Sequence, residues 1–421
     1  MVKLKKIKKI IAFILVLVIG NTSFLYKVNS ACENISNNAY QFAISFLNDY
    51  YLSIDQGEDV NVENYICDSN LLNYINNKIY AKAYKLNVFG VDDMQNYSVS
   101  YELKDENVLS DKVIYTIFSN VSFNYKNEDY ISGYGEHIKI SVSSLSGRYV
   151  INDIYSKYDD YDTDIRDINV GLDYEYRIIT NDILDKQQQV NEKIVDYYDS
   201  LLKGDTKEFY ECEEENCTYE ASNSEMRSLN SLNRNAMVTW ADNNCSSNNP
   251  SSGNSSITYY YDFSEIAGNY DCTNFVSHSI LAGGSVMYKT SNNGIDSNGW
   301  FFTNLNSRSS SWSGVSNLFN FLKNNTVKGP KGQKISYTDI YAPNTPYPYK
   351  AGDLLQFKNN NGIWRHSALI VGYAAVGAGG TTLEAVVDGR TADGAYNYRQ
   401  RQSTIYSGNA RRVIVMKGYY N

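Results

Sequence analysis

Histidine is the scarcest chemically useful residue in this chain, at three in 421. A reaction that needs an imidazole has only His137, His278 and His366 to draw on. Cysteine is also sparse, and six residues are too few for a disulfide scaffold of this length. Basic charge is in deficit, with 38 Lys and Arg against 47 Asp and Glu. That balance argues against nucleic acid as a partner, because phosphate binding needs the opposite sign. No long apolar run follows the first twenty residues, so no stable membrane insertion is expected once that segment is removed.

What the chain does contain is 43% hydrophobic and 20% charged sequence, a globular balance. Its length is too great for one ordinary core and implies two folded units. Tyrosine is abundant, at 39 residues, which reads first as a compositional bias and second as half-wet aromatic surface.

The N-terminus, MVKLKKIKKIIAFILVLVIG, places a basic stretch before the apolar run 10–19, with small residues at Ser30 and Ala31. This is the order of a signal peptide, and residues 1–30 are read as one, with a secreted and possibly cell-wall-associated product. Cleavage there removes six lysines and leaves 32 basic against 47 acidic residues, a formal charge of −15.

Residues 31–178 are read as a small α+β domain, with helices first and an antiparallel sheet after. Tyr40, Ala43, Ile44, Leu47 and Tyr51 recur at helical spacing. From Tyr97 the pattern becomes the alternation of strands, in SVSYEL, KVIYTIFSNVSFNY, HIKISVSSL and RYVINDIY. His137 opens one of these strands and is read as structural. The acidic stretch with Asp159, Asp160, Asp162 and Asp164 lacks the glycine and terminal glutamate of an EF-hand and is read as a solvated turn. Residues 179–230 are a connector helix and linker. Cys212 and Cys217, in ECEEENC, are close enough to bridge a small loop, and no nearby His completes a metal site. Residues 231–421 form the second unit.

The chemistry concentrates in that unit. Cys272 follows a Gly/Asn/Asp turn in GNYDCTNFVSHSILAGG and opens an apolar-periodic run that ends at Gly283 and Gly284. It is therefore expected at a helix N-terminus. There the macrodipole and unpaired N–H groups favour thiolate, and the same groups can hold an oxyanion. His278 lies six residues on, rotated away from the cysteine and too far along the axis to reach it. His366 remains as base, at the start of a strand in RHSALIVGY. Polar turns connect this strand to AGDLLQF before it and TTLEAVVDGR after it. Asp388 is the first choice to orient the imidazole, with Glu384 and Asp393 as alternatives. Asp271, Asn269, Trp300 and Trp364 are candidates for substrate contact. Core packing is the rival reading for Trp300 and Trp312, and hairpin packing for Trp364. No metal ligand set and no cofactor are called for.

The segments NRNAMVTWADNN (233–244), YDCTNFVSHSILAGG (270–284), GWFF (299–302), WSGVSNLFNFL (312–322), AGDLLQF (351–357) and HSALIVGY (366–373) follow one another in an order that resembles the putative amidase domain family. That family is similar to the NlpC/P60 and CHAP cysteine peptidases. The resemblance implies a papain-like cysteine amidase domain, with Cys272 as nucleophile, Asp271 as its neighbour and His366 as base. It also implies peptide or peptidoglycan as substrate. The chain departs from the family at Arg390-Thr-Ala-Asp393, where a His-Thr-x-Asp stretch is usual. A non-catalytic binding module on the same fold is the alternative this departure motivates.

Overall fold

A computed structural model describes residues 39–57, 61–87, 94–125, 131–156, 159–166, 178–203, 228–265, 271–292, 294–336, 349–359, 362–376, 382–390, 399–402 and 411–421. The signal segment, the linker with Cys212 and Cys217, Asn269 and Asp393 lie outside the described residues. The fold is α+β. Among the described residues no helix is long and apolar enough to cross a membrane.

In the N-terminal unit, α1 (Ala39–Gln56) and α2 (Ser69–Asn87) precede four antiparallel strands. These are β1 (Met94–Val108), β2 (Lys112–Tyr125), β3 (Ser132–Leu145) and β4 (Arg148–Ser156), paired in chain order. Phe42, Ala43, Phe46, Leu47, Tyr50, Tyr51 and Ile54 form one buried stripe along α1. It packs on alternate residues of β2, including Tyr115, Ile117, Val121 and Phe123.

The acidic stretch expected as a solvated turn is a helix instead, α3 (Asp160–Arg166), and it is largely internal. Asp162 is fully buried and accepts from Tyr74 Oη at 2.7 Å, Lys78 Nζ at 2.5 Å and the Ser156 N–H at 2.6 Å. Lys82 bridges Glu136 and Asp159. Arg166 forks onto Asp153 with both distances 3.0 Å. The missing signal was the partner, since these lysines lie some eighty residues upstream on α2. The connector helix is α4 (Asn181–Lys203), whose Gln187 and Asn191 bond to carbonyls of α2.

The C-terminal unit begins with α5 (Arg234–Asn244), capped by Asn233, whose side-chain oxygen accepts the Ala236 N–H at 3.0 Å. Next come α6 (Cys272–Ala282), the short strands β5 (Gly294–Asp296), β6 (Phe302–Asn304) and β7 (Ser307–Ser309), and α7 (Val315–Asn324). The remaining strands are β8 (Gly329–Ser336), β9 (Leu354–Lys358), β10 (Trp364–Val376), β11 (Thr382–Asp388), β12 (Gln400–Arg401) and β13 (Arg411–Tyr420). They form one antiparallel sheet in the order β12-β11-β10-β9-β13-β8.

Both faces of this sheet are covered. Leu354, Leu369 and Ile414 pack with Phe275, Val276 and Ile280 of α6, while Leu355, Phe357, Ala368, Ile370, Val387 and Val413 fill the other side. Two-sided burial explains why LLQF and SALI read as continuous apolar runs. Asp353 fixes the strand ends by accepting from Arg234 at 2.6 Å and from the Met416 N–H at 2.8 Å. Tyr125 and Gly133 of the N-terminal sheet meet β12, where the Arg401 guanidinium lies 4.0 Å from the Tyr125 ring centroid and Gln400 donates to the Gly133 carbonyl.

Candidate active site

Cys272 is the first residue of α6, as its sequence context requires. The helix ends where Gly284 takes a φ of +95°, open to glycine without cost, and Gly283 leaves no room for a side chain against Met237. Its first turn abuts β10. Thr273 Oγ1 and Ser367 Oγ are 3.1 Å apart, and Ser367 also accepts from Gln356 Nε2 at 3.0 Å.

The thiol lies along the β10 backbone on either side of His366. Cys272 Sγ is 3.8 Å from the Arg365 carbonyl oxygen, and the Ser367 N–H points at the sulfur. In an antiparallel ladder, alternate residues bond to opposite neighbours. Ile370 bonds towards the β9 side through Gly352 and Asp353, so Arg365 and Ser367 face the β11 side. β11 stops at Asp388, paired with Leu369. Below that point no strand among the described residues pairs with this edge of β10, and Cys272 lies against it.

His366 shares its face with Ala368 and Ile370, and its ring lies 5.9 Å from Phe357. It leans towards the end of β11, since a Cβ on Gly389 would stand only 3.1 Å from Nε2. Thiol and imidazole thus approach the same edge from opposite faces of the sheet, where the sequence suggested a direct face-to-face meeting.

Burial dominates the electrostatics. It pushes the Cys272 thiol up to about 11, reinforced by the Asp271 carboxylate and opposed by the Ser367 N–H and the Thr273 hydroxyl. It pushes His366 down to about 4. The resting site at neutral pH is therefore thiol and neutral imidazole. Burial of a residue 2% exposed thus works against the thiolate that a helix N-terminus favours.

Asp271 does not cap α6 with its side chain. Its carboxylate accepts from the Phe263 N–H at 3.1 Å, Asn274 Nδ2 at 2.9 Å, Arg390 Nε at 3.1 Å and Tyr260 Oη. Burial and the nearby Asp262 push it up to about 7, against the pull of Arg390 and Tyr260. This position behind Cys272 makes it a holder of the helix start.

Arg390 is the residue whose role the sequence did not reveal. Fully buried, it donates to Asp271, to Asp262 at 2.8 Å, and to the carbonyls of Asn244, Cys245 and Ser247 at 3.0–3.1 Å. One guanidinium thereby joins the end of α5, the 260s loop, the start of α6 and the exit of β11. The departure from His at this position was legible; its four-way pairing was not.

The orienter assignments need revision. Asp388 pairs with Leu369 and so points to the face opposite the imidazole of His366. It accepts both bonds of the Arg399 guanidinium, at 3.0 and 3.2 Å. The ladder sets Asp388 three residues away from His366 along β10, and an odd offset puts the two side chains on opposite faces. Glu384 pairs with Ala374, eight residues along β10, and bonds to Gln402. Trp300 is fully buried, with its indole N–H on Ser277 Oγ at 3.1 Å and its ring 4.8 Å from Trp312, so it is core and not groove. Trp364 is half-buried and packs on the Arg412 guanidinium at 4.0 Å, the hairpin-packing alternative. His278 is enclosed by Trp240, Tyr260 and Trp312, accepting the Gly253 N–H on Nδ1.

No curated protein and no solved structure matches the chain. Residues 231–416, which hold every element of this site, match the model of the putative amidase domain family, and that match supports an amidase-type hydrolase in the C-terminal part of the chain.

Proposed function

We propose that the chain is an exported cysteine amidase or peptidase that hydrolyses amide bonds of cell-wall peptidoglycan. The observations that carry this reading are the Cys272 thiol 3.8 Å from the carbonyl of Arg365, the residue before His366, and the His366 imidazole beside the end of β11. In the reaction, His366 takes the thiol proton as sulfur attacks the amide carbonyl. The N–H groups at the start of α6 stabilise the oxyanion. The imidazolium then protonates the leaving amine, and water attacks the thioester to release the acid and free the thiol. Starting from a neutral pair, this is general-base chemistry, with the ion pair formed only during attack.

Export rests on the basic and apolar N-terminus, and the peptidoglycan assignment on that compartment and on the strongly acidic mature chain. The test is mass spectrometry of purified peptidoglycan stem peptides incubated with the mature chain and with Cys272→Ala. Products from the former alone support the reading; identical traces overturn it. The second reading, a binding module without turnover, is favoured by the burial of both residues, Cys272 at 2% and His366 at 4% exposure. It predicts peptidoglycan binding in both proteins and products in neither.

A further inference from the structure

A solvent-open cavity of about 360 Å³ lies between the 259–261 stretch and the 292 and 304–307 loops, lined by Tyr259, Tyr261, Asn292, Asn304, Asn306, Ser307 and one leucine. This volume is at the small end of ligand sites, roughly 300–1,000 Å³, and suits one ring better than an extended chain. The backbone of 259–263 runs between the cavity and the nucleophile helix. Tyr260 turns inward to Asp271, and the Tyr261 carbonyl accepts Asn274 Nδ2 at 2.9 Å. On the far side, Tyr259 packs on Phe302 at 5.9 Å, and Phe302 on Trp312, whose indole N–H reaches Asn274 at 2.6 Å. The cavity is thus tied to the residue two places after Cys272 from both walls.

The lining selects its ligand by what it offers. Among the described lining residues none carries a charge, so a carboxylate, phosphate or ammonium would find no counter-ion there. One leucine is too little for an aliphatic side chain. Two tyrosines supply flat amphipathic surface, and three asparagines and a serine supply both donors and acceptors. A neutral ring bearing hydroxyls and an amide matches that set.

We infer that this cavity is a subsite for a neutral N-acetylated sugar ring, holding the glycan part of a substrate whose amide is cut at Cys272. The inference deepens the proposed function and rests on it for the identity of the substrate. It gives the tyrosine-rich 259–261 stretch a role in specificity.

The test is calorimetric titration of an N-acetylglucosamine tetramer into the full mature chain, wild type and Cys272→Ala, then into Tyr259→Ala and Asn306→Ala. Saturable binding to the first two, weakened at least tenfold in each of the latter, supports the subsite. Absence of binding to wild type and Cys272→Ala overturns it, as does equal affinity in all four proteins. Circular dichroism of both cavity variants checks that lost binding is not lost fold. Because binding is read without turnover, the subsite can fail while the Cys272–His366 chemistry stands, and the reverse.

Discussion

Arg390 illustrates how one side chain can hold the proposed reaction centre without touching Cys272 or His366. Its guanidinium is buried, and its three nitrogens make five contacts, to two carboxylates and, all from Nη1, to three carbonyls. Lysine keeps the charge but cannot satisfy that planar set. Arg390→Lys should therefore destabilise the C-terminal domain by about 3 kcal/mol, the scale of a broken buried pair, read from denaturant midpoints. Gly389 is a second single-residue control. Its φ lies outside the left-handed region, so alanine is tolerated by the backbone. The added methyl would nevertheless press on His366 Nε2 from 3.1 Å. Gly389→Ala should lower amide hydrolysis by about tenfold or more with a midpoint change under about 1 kcal/mol, since about 1.4 kcal/mol of misplacement is already tenfold in rate. An unchanged rate would show that the imidazole position near β11 is immaterial.

At the scale of elements, periodicity located what local sequence controls. The helix opening at Cys272, the strands at LLQF and HSALIV and the N-terminal meander all follow from spacing of apolar residues and from turn glycines. Two failures share one cause, dependence on distant partners. The acidic stretch 159–166 carries the pattern of a wet turn and becomes an inner helix because Lys78 and Lys82 on α2 meet its carboxylates. Asp388 was placed opposite His366 by counting residues around a turn, and the ladder sets it opposite Leu369, three residues away. The buried network in the N-terminal unit has a measurable consequence. Asp162→Asn leaves Lys78 with half its compensation in a site of zero exposure, and Tyr74 Oη and the Ser156 N–H with a weaker acceptor. It should cost about 3 kcal/mol in unfolding of the N-terminal unit, followed by tyrosine near-ultraviolet dichroism. No change would mean that the network is not a stabilising feature.

For the whole molecule, burial of neutral imidazoles couples the fold to pH. His366 and His278 are held at about 4 and about 3, below the roughly 6.5 of an unfolded chain. A group whose folded value is depressed contributes stability above its unfolded value and loses it as pH falls. That loss runs from about pH 6.5 towards pH 4 for His366. Asp271, raised to about 7, acts in the opposite direction, so the wild-type curve alone does not isolate the effect. The stability difference between wild type and His366→Gln does, and it should shrink by about 3 kcal/mol from pH 7 to pH 4. A constant difference would place His366 in water.

The central claim is that Cys272 and His366 act as one unit at the edge of β10. Its most direct test is the rate of Cys272 alkylation by iodoacetamide at pH 7, followed by peptide mass spectrometry in wild type and His366→Ala. Cys245, buried in the same domain and pushed above the usual thiol range, serves as the internal reference. The account predicts that Cys272 reacts faster than Cys245 and slows at least tenfold in His366→Ala. Equal rates for Cys272 in the two proteins would contradict it.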